Sequence, residues 1–242
     1  MMSSRKGQKR ANQLIRAQQA AERRRRRTIW ISAVAVLVVL LAGGVTGAIY
    51  LSRRNAQAAQ SYAMPAGATR TDLGVPVSSG GVQVDIYLDY MCPHCKEFET
   101  LAAGPLNDFA GNNTITLTYH PLNYLNRYSS GTEYSTRSAA AAGCAADAKK
   151  LPDFTTAIFG KQPAENSKGL TNQQILSIAH DAGITGATFD KCVTSQKYAK
   201  WVTHVSNAAQ GKGVQQTPTV FVDGKQVDAS VSALTNAINA AA

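Results

Sequence analysis

The sequence has no internal repeat of 20 or more residues, one acid in its first 54 residues, no aromatic side chain among the bases of residues 1–27, and no histidine directly after its C-x-x-C. Each absence excludes something. Without a repeat, solenoids and propellers are out. With Lys96 where C-x-x-C-H would need histidine, covalent haem attachment is out. The missing aromatics argue against a single-stranded nucleic-acid platform. That matters because the formal net charge is +10 and the pI about 9.6, values that otherwise suggest nucleic-acid binding. The charge is local. Residues 1–54 carry 12 Lys/Arg against the lone Glu22, and the remaining 13 bases face 14 acids. A hydrophobic fraction of 44% excludes wholesale disorder.

Residues 29–51, IWISAVAVLVVLLAGGVTGAIYL, form an uncharged run of 23 residues. As a helix it would be about 34 Å long, enough for a bilayer core of about 30 Å. Trp30 and Tyr50 stand at its ends, where amphipathic rings favour the interface. Ten bases precede the run, and the positive-inside rule then puts residues 1–28 in the cytoplasm as a basic tail and the rest of the chain outside. The bases also suit anionic lipid headgroups. A cleaved signal peptide ending near Ala56-Gln57-Ala58 is the rival reading, but the run exceeds a usual signal core and Arg53-Arg54 intervene. Either reading exports the remainder. Gly43 and Gly47 form a G-x-x-x-G, and the Arg run admits a twin-arginine signal; neither is selected by anything else. Residues 52–75, rich in Ala, Gln, Ser, Gly and Thr, read as a linker spanning roughly 25 Å.

Residues 76–242 make one domain of ordinary size. Val82, Val84, Ile86 and Leu88 alternate with Gln83, Asp85, Tyr87 and Asp89, a strand signal. Cys92-Pro93-His94-Cys95 follows, with Pro93 suited to a first helical turn. Residues 114–120 read as a second strand. Helices are expected at 135–150, 153–159, 172–182, 187–194 and 197–210, then a hairpin at 219–227 turning on Asp223-Gly224 and a closing helix at 230–241. This order is α/β with helices inserted at about 128–210, between the second strand and the hairpin.

Of three possible pairings of the four cysteines, a C-x-x-C at a strand-to-helix junction pairs with itself, which leaves Cys144 with Cys192. Two free buried thiols are the alternative for the latter. Cys92 falls at a helix N-terminus, where unpaired N–H groups and the dipole favour a thiolate, and His94 adds a donor or charge. A stabilised reduced form makes the disulfide a stronger oxidant. An inert clip is the alternative. No metal site is expected: zinc would need a second close ligand pair, and His120, His180 and His204 are scattered. Those histidines, like Trp201, read as surface or packing residues.

Tyr90-Met91-Cys92-Pro93-His94-Cys95, Thr217-Pro218-Thr219-Val220-Phe221-Val222-Asp223-Gly224 and the long helical insertion together resemble DsbA-type thiol:disulfide oxidoreductases, in the membrane-anchored form of actinobacteria. The resemblance covers roughly residues 76–240. It implies a thioredoxin fold with an inserted helical domain, Cys92 as nucleophile, Cys95 as resolving thiol, and a cis Thr217–Pro218 bond facing the active site. Thr217 would then offer its backbone to an extended substrate. DsbA itself is a reference strong oxidant. The implied function is disulfide formation in exported cysteine-containing proteins, without a bound cofactor, with reoxidation by a membrane quinone-linked oxidase of the DsbB or vitamin-K-epoxide-reductase type. A reductase or isomerase of the same fold, or a redox-inert tethered binding module, remains open. One position departs from the pattern: many such enzymes carry a buried carboxylate six residues before the first cysteine, and here it is Ile86. Asp85 and Asp89 flank it on the opposite strand face. Asp89 would either act through water or be a solvated strand-end acid.

Overall fold

The computed structural model describes residues 62–242. The alternating run V-Q-V-D-I-Y-L forms β2 (Val82–Leu88), with Val82, Val84 and Ile86 buried and Gln83 exposed. Tyr87 and Leu88 point to opposite faces, and both are buried. The strand therefore starts half-solvated and ends inside the protein. A two-residue strand β1 (Val75–Pro76) precedes it, and β3 (Ile115–Pro121) follows. β4 (Thr219–Val222) and β5 (Lys225–Val227) complete a five-stranded sheet in the order β1-β3-β2-β4-β5.

β2 and β3 are parallel, in a register that sets Ile86 beside Tyr119 and Tyr87 beside His120. A parallel pair needs a crossover, and α1 (Pro93–Gly111) supplies it. The other three pairings are antiparallel. β4 and β5 turn at Asp223 (φ 46°) and Gly224 (φ 74°), the positive values a tight hairpin demands. The closing helix α7 (Val231–Ala241) is capped by Ser230 and packs on α1 and β4.

Between β3 and β4 lie a 3-10 turn (Asn126–Tyr128) and the helices α2 (Tyr134–Asp147), α3 (Leu151–Gly160), α4 (Asn172–Asp181), α5 (Ala187–Thr194) and α6 (Ala199–Gly211). α2 is the hub. Its small residues Ala139 to Ala142 are buried, and α3, α5 and α6 all pack against it. α4 starts with a capping box, Thr171 Oγ1 accepting from Gln174 N–H and Gln174 Oε1 accepting from Thr171 N–H. The disulfide Cys144–Cys192 joins α2 to α5. Trp201 of α6 is fully buried.

Two sequence expectations need correction. The helix over 135–150 ends at Asp147, because Lys149 takes a left-handed φ of 55° and Lys150 N–H turns back to the Ala145 carbonyl at 2.8 Å. The linker expected over 52–75 is shorter. Tyr62, Met64, Ala68 and Leu73 pack on the core, and Trp201 Nε1–H donates to the Leu73 carbonyl at 3.1 Å. Gly143 permits this docking: a Cβ there would come within 2.8 Å of Tyr198 and 3.0 Å of Pro65. The composition of residues 62–75 hides the docking because its bonds reach partners far along the chain. The basic tail, the apolar run 29–51 and residues 52–61 lie outside the described residues; among the described residues no helix is long and apolar enough to cross a membrane.

Candidate active site

Chain geometry at the end of β2 builds the site. Asp89, Tyr90 and Met91 connect the strand to Cys92, which caps α1 with extended backbone (φ −77°, ψ 119°) ahead of Pro93 in the first turn. Pro93 has no N–H to leave unsatisfied there and fixes φ near the helical value. The Cys92 carbonyl accepts from Cys95 N–H at 3.1 Å and Lys96 N–H at 3.3 Å.

The two thiols then differ. Cys92 Sγ lies 3.3 Å from the Thr217 carbonyl, to which its S–H donates. The Cys95 thiol, the Thr217 side chain and the N–H groups of Cys95 and His94 stabilise the Cys92 thiolate, and against the opposing effect of burial they bring its pKa down to about 6. Cys95 is one helical turn deeper and 1% exposed, and burial pushes its thiol well above the ordinary range. His94 is exposed; its Nδ1 lies 3.1 Å from Glu97 Oε2, and that carboxylate raises the imidazole pKa. The helix start therefore carries a cation more readily than a free histidine would.

Alkylation of the reduced protein by iodoacetamide is accordingly expected to rise with a midpoint near pH 6 and to be lost in Cys92→Ser. A rate that stays low until pH 8 or above would contradict the geometry. Thermodynamic linkage fixes the companion effect. A thiol held below its ordinary value of 9.0 stabilises the folded reduced protein fully above about pH 9, and this contribution is lost as pH falls through about 6.

One supporting residue escaped the sequence reading, and two that it named, Asp89 and His120, acquire definite partners. Gln162, just past α3, donates from Nε2 to the carbonyls of Tyr90 (3.1 Å) and Cys92 (2.8 Å), so the helical insertion grips the C-x-x-C turn. Nothing local in Gln162-Pro163 signals a partner 70 residues away. Asp89 is not a solvated strand-end acid but fully buried, accepting from Met91 N–H and Leu125 N–H at 2.9 Å each. Burial pushes its pKa up to about 6 against the pull of those two donors. Its own N–H lies 3.5 Å from Cys95 Sγ. His120, read as a packing residue, is buried against Asp85, with Nε2 to Oδ1 at 2.8 Å. Ile86 is fully buried and carries no charge to the dithiol. Of the other histidines, His180 pairs with Asp190 at 2.7 Å and His204 stacks on Tyr62.

The Thr217–Pro218 bond is cis, and both residues line an open groove of about 1230 Å³ with His94, Glu97, Leu101 and Gln216. Leu101 is 66% exposed, an apolar contact at the groove wall. The site thus sets an acidified thiol, sealed from behind, beside a cleft lined by the cis-Pro218 turn and by apolar side chains that include Phe98, Leu101, Val227 and Val231. The arrangement suits thiol–disulfide exchange with an extended polypeptide.

Comparison with known proteins agrees. A family model described as thioredoxin matches residues 77–240. Among solved structures, the reduced form of the disulfide bond oxidoreductase DsbG from Mycobacterium tuberculosis superposes with a TM-score of 0.62 at 29% identity, over 72% of this chain and 88% of that one. Oxidised DsbA from the same organism gives 0.61 at 29% identity, over 69% and 91%. The oxidoreductase MdbA from Actinomyces oris, at 24% identity, gives 0.60 over 75% and 94% and supports the fold. The serine/threonine-protein kinase PknE of M. tuberculosis is 32% identical over 158 residues, 60% of this chain; the match spans about a quarter (27%) of the kinase. On fold, site geometry and family match together, the chain belongs to the thioredoxin family as a DsbA-like thiol:disulfide oxidoreductase.

Proposed function

We propose that this protein is an extracytoplasmic dithiol oxidase that introduces disulfides into exported proteins, held to the cell membrane by residues 29–51 with residues 1–28 in the cytoplasm. The observation that carries the reading is the asymmetry of the two thiols: Cys92 at the groove with a pKa of about 6, Cys95 sealed and raised. In the oxidised enzyme a substrate thiolate attacks Cys92 Sγ, the Cys92–Cys95 bond breaks, and Cys95 leaves and takes up a proton. A second substrate thiolate then attacks the substrate sulfur of the mixed disulfide, and Cys92 departs as a stabilised thiolate. The substrate loses two electrons and the enzyme gains them. Thr217 and Pro218 hold the substrate strand beside Cys92 meanwhile. A membrane quinone-linked oxidase, of the DsbB or vitamin-K-epoxide-reductase type, takes the electrons from the dithiol.

Equilibration of the full chain in detergent with glutathione redox buffers tests the poise. The expected reduction potential is oxidising, closer to the value of about −120 mV for DsbA than to the value of about −270 mV for thioredoxin. A thioredoxin-like potential would make the protein a reductase instead and sink the oxidase reading.

A further inference from the structure

The helical insertion meets the dithiol along one helix. Phe154 and Phe159 of α3 pack on the Tyr90 ring, with centroids 5.9 and 5.1 Å away. Thr155 Oγ1 lies 2.9 Å from the Tyr90 hydroxyl, and Thr156 Oγ1 donates to Glu99 Oε1 of α1 at 2.7 Å. These contacts dock α3 on the strand-to-helix junction without Gln162. That residue comes just past the helix end. Lys161 N–H and Gln162 N–H turn back to the carbonyls of Ile158 (3.2 Å) and Phe159 (3.1 Å), and Pro163 disfavours helical backbone at the residue before it. The Gln162 side chain then reaches two main-chain carbonyls, those of Tyr90 at 3.1 Å and Cys92 at 2.8 Å. Both are acceptors, so the amide NH2 and not its oxygen faces them.

Tyr90 is fully buried, and among the described residues no other group donates to its carbonyl. Without Gln162 that carbonyl would stand unpaired in the interior, which is costly. The Cys92 carbonyl accepts from Cys95 N–H, Lys96 N–H and Gln162, and the bond to Gln162 is the shortest of the three. Asp89 holds the same turn from its other side, through Met91 N–H. The Cys92–Pro93 peptide leads straight into the first turn of α1, whose N–H groups at His94 and Cys95 favour the Cys92 thiolate. We propose that Gln162 is a positioning residue for the exchange reaction: by binding the carbonyls of Tyr90 and Cys92 it orients the C-x-x-C turn so that the N–H groups of the first helical turn converge on the Cys92 sulfur. Through this contact the helical insertion takes part in the chemistry as well as covering it. The inference rests on Cys92 being the sulfur that is attacked and that later departs. Charge develops on that sulfur as the mixed disulfide is resolved, and donors already in place there need no reorganisation.

Iodoacetamide alkylation of the reduced full chain in detergent, followed against pH, reads the orientation of the turn. Gln162→Met keeps the length of the side chain and removes both donors. It should move the midpoint upward from about 6 by about one unit, a loss of about tenfold in rate at pH 5. Gln162→Glu, with no donor and an added negative charge, should move it at least as far. Thr156→Val loosens α3 from Glu99 without touching the turn and should leave the midpoint in place. A Gln162→Met curve that overlays the wild type would overturn the positioning role. So would an equal shift in Thr156→Val, because packing of α3 alone would then set the thiol. Should Gln162→Met fail to fold, Gln162→Glu is read by the same criteria, at a half-buried position that tolerates it. A wild-type midpoint near the ordinary thiol value of 9.0 is a separate failure: it removes the assignment of Cys92, and the role of Gln162 with it.

Discussion

Cys92→Ser is expected to abolish thiol–disulfide exchange, with a loss of at least about a thousandfold in oxidation of a reduced peptide or in insulin reduction. Cys92 is the sulfur at the groove: 5% exposed, beside Thr217 and held toward the thiolate. Cys95 is 1% exposed and raised, so it cannot substitute for the missing nucleophile. Cys95→Ser should behave differently. It keeps the nucleophile and lacks the internal thiol that would displace a bound substrate, so covalent adducts should accumulate and appear on non-reducing gels. Activity that survives Cys92→Ser would favour a redox-inert binding role for the fold. Equal loss in both variants without trapped adducts would contradict the assigned order of attack.

The second large effect is on stability. Replacing Cys144 and Cys192 together by alanine removes a link that closes 48 residues of sequence separation between α2 and α5. The loop-entropy relation gives about 4 kcal/mol for a loop of that size, a large share of the roughly 5–15 kcal/mol by which a domain is stable. Both side chains are buried in the Ala-rich packing around α2, so the variant also loses some contact. The urea midpoint should fall accordingly, while the Cys92 alkylation profile of the surviving folded fraction stays near pH 6. A midpoint that scarcely moves would mean that helix packing alone holds the insertion.

Much of this architecture is local enough to read from sequence. The alternation in β2, the Asp223-Gly224 turn and the helix periodicities each depend on neighbours within one or two turns, and the structure places those elements within a few residues of expectation. Cys92 at a helix start follows from the strand before it and Pro93 after it. The DsbA-like likeness rests on two short segments that the fold brings together, Cys92–Cys95 at the start of α1 and Thr217–Pro218 before β4.

The sequence by itself determined the strand–helix junction bearing the dithiol, the helical insertion and the concentration of positive charge in residues 1–54. Only the tertiary structure decided which polar groups are buried and what they meet. Asp89 becomes a buried acceptor because Leu125, from the loop after β3, folds back onto it. Gln162 becomes a clamp on Cys92 because α3 ends beside the C-x-x-C turn. His120 becomes a partner of Asp85 because parallel pairing sets β3 beside β2. Residues 62–75 become part of the domain because Gly143 leaves room for Pro65. Hydrophobic periodicity and capping reflect short-range preferences of the chain. Burial and hydrogen-bond partnership here depend on segments 35 to 81 residues apart, whose meeting no local pattern encodes.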